Sequence, residues 1–578
     1  MEAQQSQGEG SIYARPSPRR PDELHPWTWL PVLSIVVSIL PLANPSWRVS
    51  VIVQASCPMV QGREAVRDQC SDVLSDESNL AARIVERVYF PETPQQVAQV
   101  VVEAAEAGVE VTVSGGRTGI TGGAVSRGEG WLISLSRMNR CLGWSQAPDD
   151  GEPRIRVQAG MRLDELSRIV EEGPLAPGGE GSPAGPRGDL SWIYPVDPTE
   201  RSATIGGTIA TNASGARSFH FGPTARWVTA LTVVLADGRV VELGRGETQA
   251  QGHVLRWPQG LDAGSVRLPR LPWPQAKCVA GYRIEEDVDL VDLLVGSEGT
   301  LGIVVEAELA LTRRPHTILS LFTFLPGKGD GLALAARIRD QAGLRPLAIE
   351  YLDDSALRLL REARSGGADQ IPDFPRAAAS ALFLEFALES EGELLDVVEV
   401  VEGLLAGEGG RLEDTWAGDS PKEWRRMKAL RHAVPEAVNQ RIARARQRTP
   451  EIHKVGTDLA VPDRGADEMN RIYRTLLSQS GMEFALFGHA AENHLHANLI
   501  PSTRSELHTA VELHEELARE AVRLGGSVSA EHGIGRLKHG LLSIQFGQEG
   551  VEQLKAVKTA FDPDWRLNPG VLFPERVR

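Results

Sequence analysis

Residues 113–125 read VSGGRTGITGGAV, and five of the nine residues from Gly115 to Gly123 are glycine. The β-branched stretch VEVTV runs directly into this loop and predicts a strand. The spacing is neither the GxGxxG of a dinucleotide-binding turn nor the GxxxxGK[ST] of a P-loop. Successive backbone N–H groups without Cβ crowding can form a nest for a phosphate, and Thr118 and Thr121 add hydroxyl donors. A tight loop that binds no ligand is the competing interpretation.

The sequence around this loop predicts alternating strands and helices. RIVERVYF reads as a strand and PETPQQVAQVVVEAAEAG as a helix, which together with VEVTV make a β-α-β unit that begins near residue 80. ALTVVLADGRVVEL reads as a hairpin around Asp237-Gly238. After about residue 315 a strand-helix-strand order occurs twice, which predicts a separate α+β domain with a sheet covered by helices.

Length, charge and cysteine content argue against several classes of protein. A chain of 578 residues is too long for one compact core, so two or more domains are expected. The net charge of −16 argues against a nucleic-acid partner, although a local Arg/Lys cluster can still bind a carboxylate. The four cysteines form no CxxC, which argues against iron–sulfur and zinc–thiolate modules and favours a reduced compartment.

The N-terminal residues 1–58 are set apart from the rest of the chain. They contain the apolar stretch LPVLSIVVSILPLA, which is shorter than the ~20 residues of a spanning helix. Three interpretations stay open: translation begins at Met59, the segment is a signal or anchor, or it is a disordered tail. We expect a cytoplasmic protein, with peripheral attachment to a membrane as the alternative.

Two further segments of small residues lie in the same α/β region. They are DPTERSATIGGTIATNASGARSFHFG at 197–222 and LVGSEGTLGIVVEAEL at 294–309. Three segments that keep backbone groups exposed predict a groove that clasps a large dinucleotide along its length.

Together with GHAAENHLHAN, SAEHGIG and LNPG, in this order, these motifs resemble the flavoprotein family of vanillyl-alcohol oxidase and p-cresol methylhydroxylase type. They look most like the branch of D-lactate dehydrogenase (cytochrome), D-2-hydroxyglutarate dehydrogenase and the glycolate oxidase flavin subunit. The resemblance covers roughly residues 80–575 and implies an α+β fold. An FAD-binding domain of p-cresol methylhydroxylase type with two subdomains would occupy 80–315, and an α+β substrate (cap) domain 316–525. A C-terminal segment, 526–578, would return to the flavin site.

The resemblance also implies which residues contact FAD. The pyrophosphate would lie on the loop Gly115–Gly122, and this loop has no His or Cys to tether the flavin, so we expect noncovalent FAD. Glu298, Gly302 and Ile303 would lie on the adenosine side. The full implied set is Gly115, Gly116, Arg117, Thr118, Gly119, Thr121, Gly122, Pro198, Thr204, Gly206, Gly207, Asn212, Gly215, Glu298, Gly302, Ile303 and Asn568.

Histidines concentrate in FGHAAENHLHANLI, residues 487–500. EFALF and HLHANLI read as strands on either side of a turn. If Glu492-Asn493 is a two-residue hairpin turn, His489 opposes His496 with Cα atoms ~4.5–5.5 Å apart. Relatives usually carry Asp-Gly at this turn, so the departure puts the turn geometry in question more than the spacing of the histidines.

Side chains of His489, His494, His496 and Asn498 are expected on one face of this hairpin. Two imidazoles so placed can bind one divalent cation, and Glu531 would be the third ligand. Hydrogen-bonded polar residues beside a cofactor are the alternative interpretation. The resemblance favours the metal, because better-known relatives hold one with the corresponding residues; His489, His496 and Glu531 are thus predicted to bind zinc, or else iron or manganese.

The same resemblance suggests a reaction on a 2-hydroxy acid, which offers a cation both a carboxylate and an adjacent hydroxyl. His532, next to Glu531, is the candidate base, and hydride would pass from C2 to flavin N5. Arg431 and Lys454 match family positions that bind the substrate carboxylate, and Asn498 joins the predicted catalytic residues. For Arg431 or Lys454 alone, a solvated surface charge is the alternative.

The leading prediction is an FAD-dependent dehydrogenase of a D-lactate-like 2-hydroxy acid. Its electron acceptor would be a quinone, a cytochrome or an electron-transfer flavoprotein, and a homodimer is left open. An oxidase that passes electrons to O₂ is a second prediction. A noncatalytic FAD-binding subunit of a larger complex is a third, against which the intact histidine cluster argues.

Overall fold

The structure is a computed structural model that describes residues 56–82, 84–147, 151–173, 192–256, 264–327, 330–368, 370–390, 392–418 and 421–574. The interpretations of residues 1–58 therefore fall outside the described residues, except at 56–58. Each helix in the described ranges is too short or too polar to cross a membrane.

The described strands, in chain order, are β1 Met59–Gln61, β2 Val85–Tyr89, β3 Val111–Ser114, β4 Gly130–Ser134, β5 Cys141–Gln146, β6 Pro153–Gln158, β7 Trp192–Ile193, β8 Val228–Val234, β9 Val240–Gly244, β10 Val254–Arg256, β11 Ser265–Arg267, β12 Ile303–Ala310, β13 Thr312–Arg313, β14 Thr317–Leu325, β15 Pro346–Leu352, β16 Ser380–Leu388, β17 Trp416–Gly418, β18 Val455–Gly456, β19 Leu459–Ala460, β20 Phe484–His489 and β21 His494–Leu499.

The described α-helices are α1 Arg63–Gln69, α2 Pro94–Glu106, α3 Leu163–Glu172, α4 Ile205–Ala210, α5 Ser218–Phe221, α6 Leu290–Leu294, α7 Asp330–Asp340, α8 Asp354–Ser365, α9 Glu393–Gly407, α10 Pro421–Arg446, α11 Asp463–Gln479, α12 Arg504–Arg523 and α13 His539–Phe561.

The predicted β-α-β unit forms the first sheet, whose strand order is β1-β2-β4-β3. Helix α2 begins as its sequence predicts: Pro94 occupies the first turn, and the Thr93 side chain accepts a hydrogen bond from the Gln96 N–H. Among the described residues, regular structure is already present at β1 and α1, earlier than the predicted start near residue 80. Because β1 is three residues long and mostly exposed, it has no apolar alternation to reveal it.

A second sheet with the order β5-β6-β12-β8-β9 completes the N-terminal half. The hairpin predicted around Asp237-Gly238 is confirmed, because β8 and β9 pair with Val234 opposite Val240. Burial alternates residue by residue along β12, which places one of its faces in the core.

The C-terminal half is built on an eight-stranded sheet, with the order β17-β14-β16-β15-β20-β21-β18 and β19 beside β21. Successive residues of β14 enter different cores. Leu321 belongs to a core with Leu405 of α9, and Phe322 to another with Leu430 of α10. The predicted sheet covered by helices is thus confirmed.

The hairpin of β20 and β21 differs from its predicted register. His489 pairs with His494, and Phe487 pairs with His496, so the predicted pairing of His489 with His496 is wrong. The turn has four residues, because Ala490–Glu492 form a 3₁₀ turn that Asn493 closes with a left-handed φ of 49°. Since the register moves by two residues, an even number, the histidine side chains stay on one face.

The C-terminal residues return to the glycine loop. Leu567 bridges to Val111 of β3, and the Asn568 N–H donates to the Val111 carbonyl at 2.8 Å. The Asn568 side chain accepts from the Val113 N–H at 2.8 Å, so the strand that leads into the loop is held by a residue 455 positions away.

Candidate active site

A cavity of about 1420 Å³ extends from the glycine loop to the histidine hairpin. It brings together segments from both halves of the chain, including α10, β18, β20 and β21. The cavity therefore lies between the two halves of the chain, and clefts of this kind are common locations for cofactor sites.

Most of the residues predicted to contact FAD line this cavity. They are Gly115, Gly116, Arg117, Thr118, Gly119, Thr121, Pro198, Thr204, Gly206, Gly207, Gly215, Glu298, Gly302, Ile303 and Asn568. Gly122 and Asn212 do not line it. A Cβ on Gly122 would lie 2.6 Å from Leu80, and the Asn212 side chain accepts a hydrogen bond from the Ala225 N–H at 2.9 Å. Both residues therefore shape turns beside the cavity.

The glycine loop lies against the second small-residue segment. The Gly116 N–H donates to Thr204 Oγ1 at 3.2 Å, and a Cβ on Gly116 would lie 2.8 Å from the Ser202 carbonyl. A Cβ on Gly119, in contrast, would meet no protein atom within 4 Å. Some glycines thus permit close packing of the loops, while others leave the backbone open to the cavity, as a long ligand such as FAD requires.

Glu298 connects the third small-residue segment to the C-terminal part of the chain. Its carboxylate accepts the N–H groups of Ile534 and Gly535, each at 2.8 Å. Burial raises the pKa of Glu298 to about 7, although these hydrogen bonds oppose the shift. Glu298 lines the cavity, and its carboxylate is already engaged by the protein backbone.

Four side chains, three of which line the cavity, offer metal-ligand atoms. The donor atoms of His489, His494, His496 and Glu531 all lie within 4.8 Å of one another. His494 was placed on this face by the sequence but not among the ligands. Its Nδ1 is buried and has no hydrogen-bond partner in the described part of the chain, so this nitrogen is available as a ligand atom. The donor set, three imidazoles and one carboxylate, suits zinc.

Two carboxylates clasp His489. Its Nδ1 lies 2.5 Å from Glu350 Oε1, and its Nε2 lies 3.2 Å from Glu531 Oε2. Burial disfavours the imidazolium, but Glu350 and Glu531 outweigh this effect and raise the pKa of His489 to about 10. Arg431 Nε donates to Glu350 Oε2 at 3.2 Å. Glu350 thus orients the His489 ring and also binds one nitrogen, Nε, of the Arg431 guanidinium.

Asp458 organises the other side of the cluster and is fully buried. It accepts from His494 Nε2 at 3.0 Å, from Ser529 Oγ at 2.6 Å, and from the N–H groups of Glu531 and His532 at 3.2 and 2.9 Å. It therefore holds the segment that carries Glu531 and His532 against β21. Asp458 was not among the predicted site residues, although an acid within the apolar stretch VGTDLAVP is a signal for a buried polar role.

His532 lies beside this cluster with its side chain 28% exposed. Its ring stacks on His496, with centroids 5.3 Å apart and planes inclined by 17°. Its Nδ1 lies 3.6 Å from Asp458 Oδ2. Burial lowers the pKa of His532 to about 4 despite the opposing effect of Asp458, so the imidazole is neutral at neutral pH. A neutral imidazole that lines the cavity can accept a proton.

A second group, Asp458, His496 and His532, also has donor atoms within 4.8 Å of one another. It is the weaker candidate for a cation, because Asp458 already accepts four hydrogen bonds and lies 3.8 Å from Lys538 Nζ. This leaves His532 available for proton transfer.

The remaining predicted catalytic residues, Arg431, Lys454 and Asn498, all line the cavity. Burial and the charge of Lys538 lower the pKa of Lys454, which forms no ion pair with any described residue. Asn498 lies on β21, on the same face as His496. Lys454 is thus the more available of the two predicted carboxylate-binding cations.

Comparison with known families and proteins agrees with this architecture. Residues 314–572 match the family described as FAD linked oxidases, C-terminal domain, and residues 85–185 and 189–244 match the FAD binding domain. A relative in Xanthomonas citri pv. viticola, named D-2-hydroxyglutarate dehydrogenase, is 30% identical over 495 residues, which cover 84% of this chain and 89% of the relative. The chain therefore belongs to the FAD-linked oxidoreductase family.

One further relative indicates the branch of the family, and one solved structure indicates the fold. A D-lactate dehydrogenase of Anaerostipes hadrus is 29% identical over 482 residues, covering 82% of this chain and 87% of the relative. A solved structure of alkyldihydroxyacetonephosphate synthase in P212121 matches with a TM-score of 0.52 and 16% identity, over 85% of this chain and 76% of that chain. The predicted resemblance and fold class are confirmed, and the protein lies in the branch with D-lactate and D-2-hydroxyglutarate dehydrogenases and glycolate oxidase.

Proposed function

We propose that this protein is a dehydrogenase that oxidises a D-lactate-like 2-hydroxy acid to the 2-oxo acid and passes the electrons to a separate acceptor. The observation that carries the proposal is the convergence of four metal-type donors beside a neutral histidine, at one end of the cavity lined by the FAD-binding loops. The names of the relatives support the choice of substrate class.

We assign the divalent-cation site to His489, His496 and Glu531, with His494 as a fourth donor. Zinc is the first choice, with iron or manganese as alternatives. When bound, FAD supplies a two-electron oxidant and the cation supplies Lewis acidity that lowers the pKa of a substrate hydroxyl.

The protein's own groups would then bind the substrate and move its proton. Lys454 and the free guanidinium nitrogens of Arg431 are available for the substrate carboxylate, and Asn498 can hydrogen-bond the substrate. His532 keeps Nδ1 toward Asp458, so its Nε2 would accept the hydroxyl proton. Asp458 keeps His532 in place through the backbone N–H of that residue.

An anaerobic screen of 2-hydroxy acids with the FAD-loaded protein tests this function. We expect a D-2-hydroxy acid to bleach the flavin absorbance, its L-enantiomer to leave it unchanged, and a chelator to suppress the bleaching. His489→Ala should lose both the metal and the bleaching while keeping FAD. His508→Ala, whose side chain is 79% exposed on α12, is the control and should behave like wild type.

The outcomes separate the alternatives. Fast reoxidation in air after bleaching would indicate an oxidase. No bleaching by any hydroxy acid, with FAD and metal bound, would overturn the proposal in favour of a noncatalytic subunit. Full activity without divalent metal would make the histidine cluster a hydrogen-bonding site.

A further inference from the structure

A buried lysine, Lys277, forms an ion pair with the proposed metal ligand Glu531. The Lys277 side chain is 9% exposed, and its ammonium donates to Glu531 Oε1, to Glu492 Oε2 at 2.9 Å and to Ser218 Oγ at 2.5 Å. Ser218 Oγ also donates to Glu492 Oε2, at 2.5 Å. The Lys277 ammonium therefore connects four segments of the chain. The proposed reaction does not use this ammonium.

The two oxygens of Glu531 have different surroundings. Oε1 accepts from Lys277 and from Ser214 Oγ, the latter at 2.8 Å. Oε2 faces His489 Nε2 at 3.2 Å, on the side where the imidazole nitrogens converge. Two donors on one oxygen restrain the rotation of the carboxylate, so the other oxygen, Oε2, is presented to a cation.

The charges of this group explain the presence of Glu492. A buried ammonium that faced Glu531 alone would cancel the negative charge of that carboxylate, and the cluster would attract a cation less. Glu492 is a second carboxylate partner of Lys277, and its negative charge neutralises the charge of the ammonium. The three groups then keep one net negative charge, because two carboxylates surround one ammonium.

We propose that Lys277 is a positioning residue for Glu531, and that Glu492 compensates the charge of Lys277 so that Glu531 keeps its affinity for a divalent cation. This inference rests on the metal site of the proposed function. Neither residue contacts the cavity end where substrate would bind through Lys454 and Arg431, since neither lines the cavity.

Zinc titration of the metal-stripped, FAD-loaded protein against a competing chelator tests this arrangement. We expect Lys277→Met and Glu492→Gln each to weaken Zn²⁺ binding ~10–100-fold, the usual effect of losing a residue that orients a ligand. Lys277→Arg should lie closer to wild type than Lys277→Met, because it keeps the charge. Arg168→Met, which removes a charge from an exposed pair with Glu172 on α3, is the control and should not change Zn²⁺ binding.

The double variant Lys277→Met/Glu492→Gln gives the decisive comparison. Because Glu492 acts only by compensating Lys277, its loss should cost little once Lys277 is gone, and the double variant should bind Zn²⁺ as Lys277→Met does. Additive losses, or single variants that bind Zn²⁺ like wild type, would overturn the inference. FAD content and melting temperature report folding; if Lys277→Met does not fold, Lys277→Arg and Glu492→Gln decide.

The wild-type titration separates the two claims. If wild type binds Zn²⁺ and the variants bind it equally, the positioning role fails while the metal site stands. If wild type binds no divalent cation, the metal site fails and this inference fails with it.

Discussion

At the scale of single residues, the candidate site depends on buried charges whose partners are distant in sequence. Glu350 orients His489 from 139 positions away, and Asp458 holds the N–H of His532 from 74 positions away. These acids fix ligand and base geometry that the histidines alone would not keep.

We expect His532→Ala to retain FAD and metal but to slow flavin reduction by ~10²–10⁴-fold, the usual cost of losing one general base. The backbone N–H of residue 532 still donates to Asp458, so the segment keeps its place. The measurement is the anaerobic reduction rate, together with FAD and metal content. An unchanged rate with intact cofactors would show that another group takes the proton.

The sequence indicated His489 and His496, because histidines in a short strand pattern are rare enough to stand out. Glu531 and His532 were indicated by the separate motif SAEHGIG. The sequence did not indicate Glu350, Asp458 or Lys277. Glu350 and Lys277 are single charges in ordinary stretches, whereas Asp458 stands out only as an acid within an apolar stretch. The roles of all three depend on partners that the fold brings to them from distant segments. Spacing along the chain carries no information about such pairs.

At the scale of elements, strands and helices with clear periodicity were predictable, and turn geometry was not. Helix α2 and the hairpin of β8 and β9 carry caps, turn residues and alternation that agree with one another. The turn between β20 and β21 has four residues because Ala490 and Ala491 are buried and leave the strand. No local signal distinguished this turn from a two-residue one.

The glycine loop provides a matched pair of variants. Gly116→Ala should lower both the melting temperature of the FAD-free protein and FAD affinity, because the new Cβ would lie 2.8 Å from the Ser202 carbonyl and 3.1 Å from the Thr204 nitrogen. The expected loss of stability is about 1–3 kcal/mol. Gly119→Ala should lower FAD affinity alone, because its Cβ would point into the open cavity. Normal FAD binding by Gly119→Ala would move the pyrophosphate away from this loop.

At the scale of the whole molecule, the cavity exists because two halves of the chain are held against each other. One direct connection is an ion pair in which Arg217 donates twice to Glu385 of β16, at 2.7 and 3.0 Å. Glu385 is only 5% exposed, so the pair is largely shielded from water. The sequence predicted which half of the chain each residue belongs to. It could not indicate that the two side chains form an ion pair.

Breaking this pair should loosen the two halves. Glu385→Leu leaves the guanidinium of Arg217 without its carboxylate, and we expect a loss of about 3–5 kcal/mol in the free energy of unfolding, with faster release of FAD. The double variant Arg217→Met/Glu385→Leu should be less destabilised, because it buries no unpaired charge. The exposed pair Arg168–Glu172 is the control, and its removal should cost about 0–1 kcal/mol. Equal melting temperatures for all variants would show that other contacts hold the halves together.

The return of the C-terminal residues to the glycine loop has a consequence for biosynthesis. During translation Val113, in the strand before the loop, leaves the ribosome 455 residues ahead of Asn568, which holds that strand. Glu531 also follows the histidines by more than thirty positions. A nascent or prematurely terminated chain thus lacks parts of both ends of the cavity. We therefore expect that a nascent chain cannot assemble the complete cavity before Asn568 has been synthesised.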